Sequence, residues 1–222
     1  MLLCLGLVAH AEARSTFPPP PKSSIGMLGN KMIVNGIPMQ IRQFSTNRSL
    51  QQVIDFYIAL WEDDTDQGLP GYSISTALRP WTIISRIEEE YILTVQVASV
   101  NKRRASGYLS MSPLDPAQRT ESGKDFPRMK GSTILNDTVS EDSGKKGRNV
   151  LLQNSNTIKS NANFYRNHYK RLGWEEITEI PPHSGKQQVL QFRRSNKHVT
   201  LVLKEQAGAT TINSQSVTEG SF

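Results

Sequence analysis

Apolar residues recur at helical spacing in two segments of the chain, 49–61 and 157–172. In the first segment the apolar positions are Leu50, Val53, Ile54, Tyr57, Ile58 and Trp61. Ser49 followed by Gln52 forms a capping box, which predicts the start of this helix. In the second segment the positions are Ile158, Ala162, Tyr165, Tyr169 and Leu172, and Gly173 predicts the helix end. Both segments are predicted to be amphipathic helices whose aromatic residues face a core.

Runs of β-branched and aromatic residues surround both helices and predict strands. After each helix, two runs separated by a short turn predict a β-hairpin: 81–88 with 91–97, and 188–194 with 198–205. A third run closes each series, at 106–112 and at 209–217. Ahead of the helices lie further extended segments, at 31–44 and at 132–140 with 149–155. Asn35-Gly36 is the strongest hairpin signal, because both residue types tolerate the positive φ of a type I′ turn.

The same order of elements therefore occurs twice, and the Phe-Tyr pair at 56–57 recurs at 164–165. We interpret this as an internal repeat produced by duplication. The predicted fold class is α+β, with two similar units that each pack an amphipathic helix on an antiparallel β-sheet in hairpin-helix-β-β-β order. The predicted organisation is a signal peptide (1–13), a proline-rich extended segment (14–30), a first unit (31–114), a linker (115–131), a second unit (132–217) and a disordered tail (218–222).

The N-terminal residues 2–13 combine an apolar run with small residues, which is typical of a secretory signal peptide. No basic residue precedes the run, which leaves open a start codon further upstream. Cys4 is the only cysteine and lies inside this segment, so the mature chain is predicted to lack disulfides, thiolate nucleophiles and cysteine-bound metals. We therefore expect an exported protein, periplasmic or secreted. No other apolar run approaches the ~20 residues of a transmembrane span.

The chain is basic, with a formal net charge of +6, which favours anionic partners. Outside the cytosol these are lipid head groups, cell-wall polymers and acidic protein surfaces, and not nucleic acid. Lys102, Arg103 and Arg104 lie in a predicted turn between two strands. Arg166 and Lys170 lie one helical turn apart on the outward face of the second helix. These five side chains are the candidate binding residues, with simple solvation of the surface as the alternative.

No combination of residues predicts catalysis or metal binding. His168, His183 and His198 fall on a helix, in a loop and at a strand start, without the spacing of metal ligands. The acidic residues within 62–66 lack the glycine and the distal glutamate of an EF-hand loop. Segment 71–75 lacks the second glycine of a nucleophile elbow. We predict no catalytic residue, no metal and no cofactor.

Two functions from different classes remain open. The first is a non-enzymatic binding or accessory protein of the cell envelope, acting on a protein or an anionic polymer and serving, in one version, a secretion or surface-appendage apparatus. The alternative is a hydrolase of cell-wall or extracellular polymer, which needs two carboxylates about 5–9 Å apart in a cleft. An open strand edge, such as that expected at 198–205, is predicted to accept a partner by strand addition. The ligand, the oligomeric state and whether the two sheets join stay open.

Overall fold

The computed structural model describes residues 17–62, 71–142, 144–177 and 186–220, without the side chains of Gly29 and Asn30. The predicted signal peptide at 1–13 and His183 lie outside the described residues. The same holds for residues 63–66 of the acidic cluster and for the last two residues of the predicted tail.

Twelve strands and two α-helices make up the described structure. In the first half of the chain they are β1 (Ser23–Val34), β2 (Ile37–Thr46), α1 (Leu50–Trp61), β3 (Ser73–Ser75), β4 (Thr82–Glu88), β5 (Tyr91–Asn101) and β6 (Arg104–Pro113). In the second half they are β7 (Thr133–Asp142), β8 (Lys145–Asn154), α2 (Ile158–Arg171), β9 (Glu175–Glu176), β10 (Gln187–Arg194), β11 (Lys197–Gln206) and β12 (Ala209–Thr218).

The predicted fold class is wrong. Strands account for 55% of the structure and helices for only 16%, so the protein is mostly antiparallel β-sheet and not an α+β arrangement of two helix-on-sheet units. All twelve strands form one sheet in the order β3-β4-β5-β6-β2-β1-β7-β8-β12-β11-β10-β9. The physical reason is that β1 is long enough to pair with β2 on one side and with β7 on the other. Helical periodicity predicts the two helices, but these helices make up only a small part of the chain, and the strands dominate the fold.

The two halves of the sheet meet where β1 pairs with β7. The ladder runs only from Lys31 opposite Glu141 to Val34 opposite Thr138. The Asn35-Gly36 turn extends it, because the Asn35 N–H donates to the Asp137 carbonyl at 2.7 Å and Asn35 Oδ1 accepts from the Asp137 N–H at 2.9 Å. Both turn residues have positive φ, 50° and 82°, which confirms the predicted type I′ hairpin. A local turn thus also supplies a contact between distant parts of the chain.

Helix α1 covers one face of strands β4, β5 and β6. It begins as predicted, since the Ser49 side chain accepts from the Gln52 N–H and the Gln52 side chain accepts from the Ser49 N–H. Its buried residues are Val53, Tyr57 and Trp61. They pack in a first core with strand residues that point to the same face, among them Phe44, Ile84, Leu93, Val95, Val97 and Leu109. The prediction that Tyr57 and Trp61 face a core is confirmed.

Helix α2 packs on β10 and β11 in a second core. Thr157 caps its start by accepting from the Ser160 N–H at 3.1 Å. Tyr165 and Tyr169 are buried, as predicted, against residues that include Leu152, Leu190, Phe192, Leu201 and Ile212. Burial raises the pKa of Tyr169 to about 12, so this phenol stays protonated at neutral pH.

Segments that precede each hairpin are docked onto these cores. Phe17 lies in the first core, 6.1 Å from the Tyr57 ring and 5.9 Å from the Trp61 ring between centroids. Phe126 lies 6.4 Å from the Tyr165 ring, within the segment predicted as a linker. An arginine sits over each phenylalanine, Arg42 at 5.9 Å and Arg148 at 5.8 Å. The proline-rich segment and the predicted linker therefore each contain a phenylalanine that packs against a core.

The edges of the sheet differ from the prediction for 198–205. Those residues belong to β11, which pairs with β10 on one side and β12 on the other, so they form no open edge. The sequence predicted both neighbouring strands, at 188–194 and 209–217, but it did not predict their order in the sheet, so 198–205 was wrongly placed at an edge. Neither helix in the described ranges has the length and apolar character needed to cross a membrane.

Candidate functional site on helix α2

The outward face of α2 is strongly basic. The helix buries Ile158, Asn161, Ala162, Tyr165 and Tyr169, which leaves its charged residues on the opposite side. Those residues are Lys159, Arg166, Lys170 and Arg171, and the helix contains no aspartate or glutamate. Lys170 and Arg171 also lie in the last turn of the helix, where cations interact favourably with the helix dipole.

Two concavities open on this face. One, of about 430 Å³, is lined by Arg166, Asn167, Lys170, Trp174, Glu176 and Phe192. The other, of about 500 Å³, is lined by Phe164, Asn167, Lys170 and Arg171. Asn167 and Lys170 border both concavities. We call the two concavities together the α2 recess.

Arg166 is held by an ion pair. Its Nε lies 3.1 Å from each carboxylate oxygen of Glu176, in the short strand β9. Because β9 is fixed by pairing with Phe192 and Arg193 of β10, the carboxylate is brought to the helix by tertiary structure. The positive charge of Arg166 is therefore largely balanced within the protein, and it offers less to an anion than the sequence suggested.

Lys170 is exposed and forms no ion pair with any described residue. Arg171 beside it is also exposed, and its Nε donates only to the Asn167 carbonyl, at 3.2 Å. Two cations thus face the recess without a carboxylate to balance them. Of the two predicted residues on this helix, Lys170 is the one whose charge remains available.

Arg194 adds a third cation at the C-terminal end of α2. Its guanidinium lies 5.4 Å from the Trp174 ring centroid, and its Nη1 donates to the Leu172 carbonyl at 2.6 Å. Trp174 itself packs edge-on against Tyr169 at 5.3 Å. Sequence reasoning missed Arg194 because it reaches the helix from β10.

His168 does not contribute charge at neutral pH. Burial and the nearby charge of Arg171 hold the pKa of His168 below its ordinary value. Its ring is stacked on Phe164 at 6.3 Å and lies edge-on to Tyr169 at 5.2 Å. A neutral, packed imidazole here is part of the aromatic wall of α2.

The basic turn predicted from Lys102, Arg103 and Arg104 is present at the tip of the β5–β6 hairpin, and all three residues are exposed. Arg104 Nε donates to Asn47 Oδ1 at 3.1 Å, which ties it to the residues before α1. None of the three lines the α2 recess. The structure therefore separates the five candidate residues into two sites.

The arrangement needed for the alternative function is not found in these concavities. Glu176 is the only carboxylate in the α2 recess, and Arg166 holds it. A third concavity, of about 360 Å³, is lined by Met32, Met39, Met111, Tyr91 and other residues, with no carboxylate among them. The described ranges also contain no group of three or more His, Cys, Asp or Glu side chains placed to hold a metal ion.

Asp137 is the one buried carboxylate among the described residues, and its role is structural. Asp137 is 6% exposed and accepts from Arg148 Nε at 2.9 Å and from the Gly123 N–H at 2.7 Å. Burial alone would raise the pKa of Asp137, but hydrogen bonds from Arg148 and Gly123 and the Arg148 charge hold it below its ordinary value. Its backbone groups are the ones that pair with Asn35. Its bonds connect the two halves of the sheet to the segment between them.

Searches with this chain against protein-family models, curated proteins and solved structures gave no significant match.

Proposed function

We propose that the protein is a non-enzymatic binding protein that holds an anionic polymer in the α2 recess. The observation that carries the proposal is Lys170, which is exposed, lines both concavities and has no ion-pair partner in the described part of the chain. Arg171 and Arg194 place two further cations at the same end of the helix.

The physical basis is the concentration of unpaired positive charge on one element. A polymer with regularly spaced anionic groups releases bound counterions when lysine and arginine replace them, which makes such binding strongly dependent on salt. Lysine supplies a mobile point charge, whereas the fixed fork of Arg171 favours sulfate, phosphate or carboxylate groups. Trp174 and Phe164 give the recess apolar walls on which the uncharged part of a polymer can rest.

Export is part of this proposal and rests on the apolar N-terminal run. In the source cells, the protein recovered from the envelope or medium is expected to begin near Glu12 or Arg14, after the alanines at 11 and 13. N-terminal sequencing of the fractionated protein checks this. Recovery of the full chain from the cell interior, still carrying Met1, would argue against export without affecting the recess.

The recess is tested by chromatography on immobilised heparin, a sulfated polysaccharide, with elution by a salt gradient. The double variant Lys170→Gln/Arg171→Gln is expected to elute at clearly lower salt than the natural protein. The matched control is Lys102→Gln/Arg103→Gln, which removes the same charge from the β5–β6 turn. Because both variants have the same net charge, only a specific site makes them differ.

Equal shifts for the two double variants would show that retention reflects net charge alone, and the proposal would fail. A larger shift for the control would move the site to the basic turn. If the natural protein binds an acidic protein at low salt but no polyanion, a protein partner replaces the polymer.

A further inference from the structure

The sheet face opposite α1 is free of charge, in contrast to the helices and turns. Along β2, β4, β5 and β6, alternate residues point away from the first core. Every outward side chain in the central part of these strands is uncharged: each is a serine, threonine, glutamine, tyrosine, alanine or isoleucine. The ranges are 41–45, 83–87, 92–98 and 106–112. In a chain with 26 lysines and arginines, this is a distinct surface, which we call the neutral face.

A row of side chains crosses the neutral face at its centre. Gln43 lies opposite Tyr108, Tyr108 opposite Gln96, and Gln96 opposite Ile83 in the strand registers. Neighbouring strands are about 4.8 Å apart, so the Cβ atoms of Gln43 and Gln96 lie about 5 Å from that of Tyr108, one on either side. Each amide can both donate and accept hydrogen bonds.

An aromatic pair stands on this row. Trp81, just before β4, packs against Tyr108 with ring centroids 5.8 Å apart and a tilt of 45° between the ring planes. Both residues belong to neither core, and both are half-exposed. The indole and the phenol therefore present apolar rings together with an N–H and an O–H to solvent.

A second row adds hydroxyl groups alongside the first. Ser85 lies opposite Thr94 and Thr94 opposite Ser110, with Ser85 Oγ and Thr94 Oγ1 3.2 Å apart. The surface thus combines aromatic rings with a grid of neutral donors and acceptors on an open, extended sheet.

We propose that the neutral face binds a neutral polysaccharide chain, with Trp81 and Tyr108 as the stacking platform and Gln96 and Gln43 as hydrogen-bonding groups. A sugar ring has a C–H face that packs on an aromatic ring by dispersion, and a rim of hydroxyls that amides and hydroxyls can satisfy. An uncharged ligand suits an uncharged surface, because no ion has to be desolvated. An open sheet accommodates an extended chain, whereas a buried monosaccharide needs an enclosed pocket.

The corresponding row in the second half of the sheet provides a comparison. There Leu151 lies opposite Asn213, Asn213 opposite Val202, and Val202 opposite Val189. This row contains no aromatic residue and only one amide. The aromatic pair therefore occurs only in the first of the two corresponding rows, so it is not a feature that both halves of the sheet share.

The experiment is co-sedimentation of the full-length natural protein with microcrystalline cellulose, chitin and an insoluble β-glucan in high salt. High salt suppresses electrostatic binding at the α2 recess, so this test and the heparin test can fail independently. The natural protein is expected to sediment with at least one of these polymers. Trp81→Ala and Tyr108→Ala are each expected to weaken binding about tenfold, since each removes one stacking ring.

Four further variants separate recognition from loss of folding. Asn213→Ala changes the corresponding row and should bind like the natural protein, as should Lys170→Gln/Arg171→Gln. Tyr108→Phe keeps the ring and should retain most of the binding. Gln96→Ala should weaken binding while leaving the unfolding midpoint near that of Asn213→Ala.

The proposal is overturned if the natural protein sediments with none of the three polymers, or if Trp81→Ala and Tyr108→Ala bind as well as Asn213→Ala. A change in the sedimentation coefficient of the free protein on Trp81→Ala, without any polysaccharide binding by the natural protein, would instead identify the face as a contact between two copies of the chain.

Discussion

Arg148 and Asp137 form a two-point ion pair, with Arg148 Nε 2.9 Å from Asp137 Oδ1 and Arg148 Nη2 2.8 Å from Oδ2. The same guanidinium donates to the Lys124 carbonyl at 2.9 Å and lies over the Phe126 ring. The pair therefore fixes the segment between the two halves of the sheet as well as β7 to β8. It is a structural centre of the molecule.

Replacing the carboxylate should destabilise the protein strongly. Asp137→Asn leaves the partly buried Arg148 without its counter-charge, and we expect a loss of about 2–3 kcal/mol in the free energy of unfolding. Urea denaturation followed by circular dichroism measures it. The control is Glu141→Gln, which breaks the exposed contact with Lys146 at 3.8 Å and should cost under about 0.5 kcal/mol. Equal losses for the two variants would contradict the structural role.

The acid stability of the protein should depend on the same carboxyl. Its pKa in the folded state is below the ordinary value of 3.8, so folding favours the ionised form. The resulting stabilisation is fully present above that ordinary value and is lost as the pH falls below it towards the folded-state pKa. The unfolding free energy of the natural protein should therefore fall more steeply below pH ~4 than that of Asp137→Asn. Parallel pH profiles would be inconsistent with this.

Two tyrosines in similar positions should respond differently to loss of the hydroxyl. Tyr57 Oη donates to the Pro18 carbonyl at 2.9 Å, whereas Tyr165 Oη is buried without a hydrogen-bond partner among the described residues. Tyr57→Phe should cost about 1 kcal/mol, and Tyr165→Phe should be neutral or stabilising. Thermal and urea unfolding of both variants provide the comparison. A similar cost at both positions would mean that the Tyr165 hydroxyl has a partner.

Gly36 should not tolerate any side chain. Its φ is +82°, and a Cβ there would lie 1.8 Å from the Thr120 carbonyl oxygen. Gly36→Ala is expected to cost more than about 2 kcal/mol, because left-handed strain and a backbone clash add. Gly131→Ala isolates the strain, since Gly131 has φ +81° and nothing within 4 Å of the added Cβ, and should cost about 1 kcal/mol. If Gly36→Ala lowers the free energy of unfolding no more than Gly131→Ala does, the backbone around Thr120 moves to accommodate the added Cβ, contrary to this prediction.

The correct predictions from sequence are those that depend on neighbouring residues. The capping box of Ser49 and Gln52 and the turn at Asn35-Gly36 are each specified within four residues, and both are present. The burial of Tyr57 and Tyr165 follows from helical periodicity within one element. Side-chain patterns of this kind report which face is buried, but not which other element covers it.

The wrong or missing predictions depend on contacts between distant residues. The pairing of β1 with β7 joins the two halves into one sheet, a question that the sequence left open because no signal in either strand indicates this pairing. The neutralisation of Arg166 by Glu176 and the approach of Arg194 to Trp174 both need β9 and β10 to lie beside α2. The polar sequence around Phe126 resembles a free linker because its single anchoring aromatic is outnumbered by charged and proline residues.

The docking of Phe17 sets a limit on how far the amino terminus can be shortened. Its ring is only 6% exposed, and Pro18, Pro21 and Lys22 accept hydrogen bonds from side chains of α1 and β2. A truncated protein beginning at Ser23 would leave a cavity beside Trp61 and would remove the acceptors of two donors, the hydroxyls of Tyr57 and Thr46. Cleavage after residue 13, as proposed for export, leaves Phe17 in the chain, whereas a cut only a few residues after Phe17 removes part of the first core.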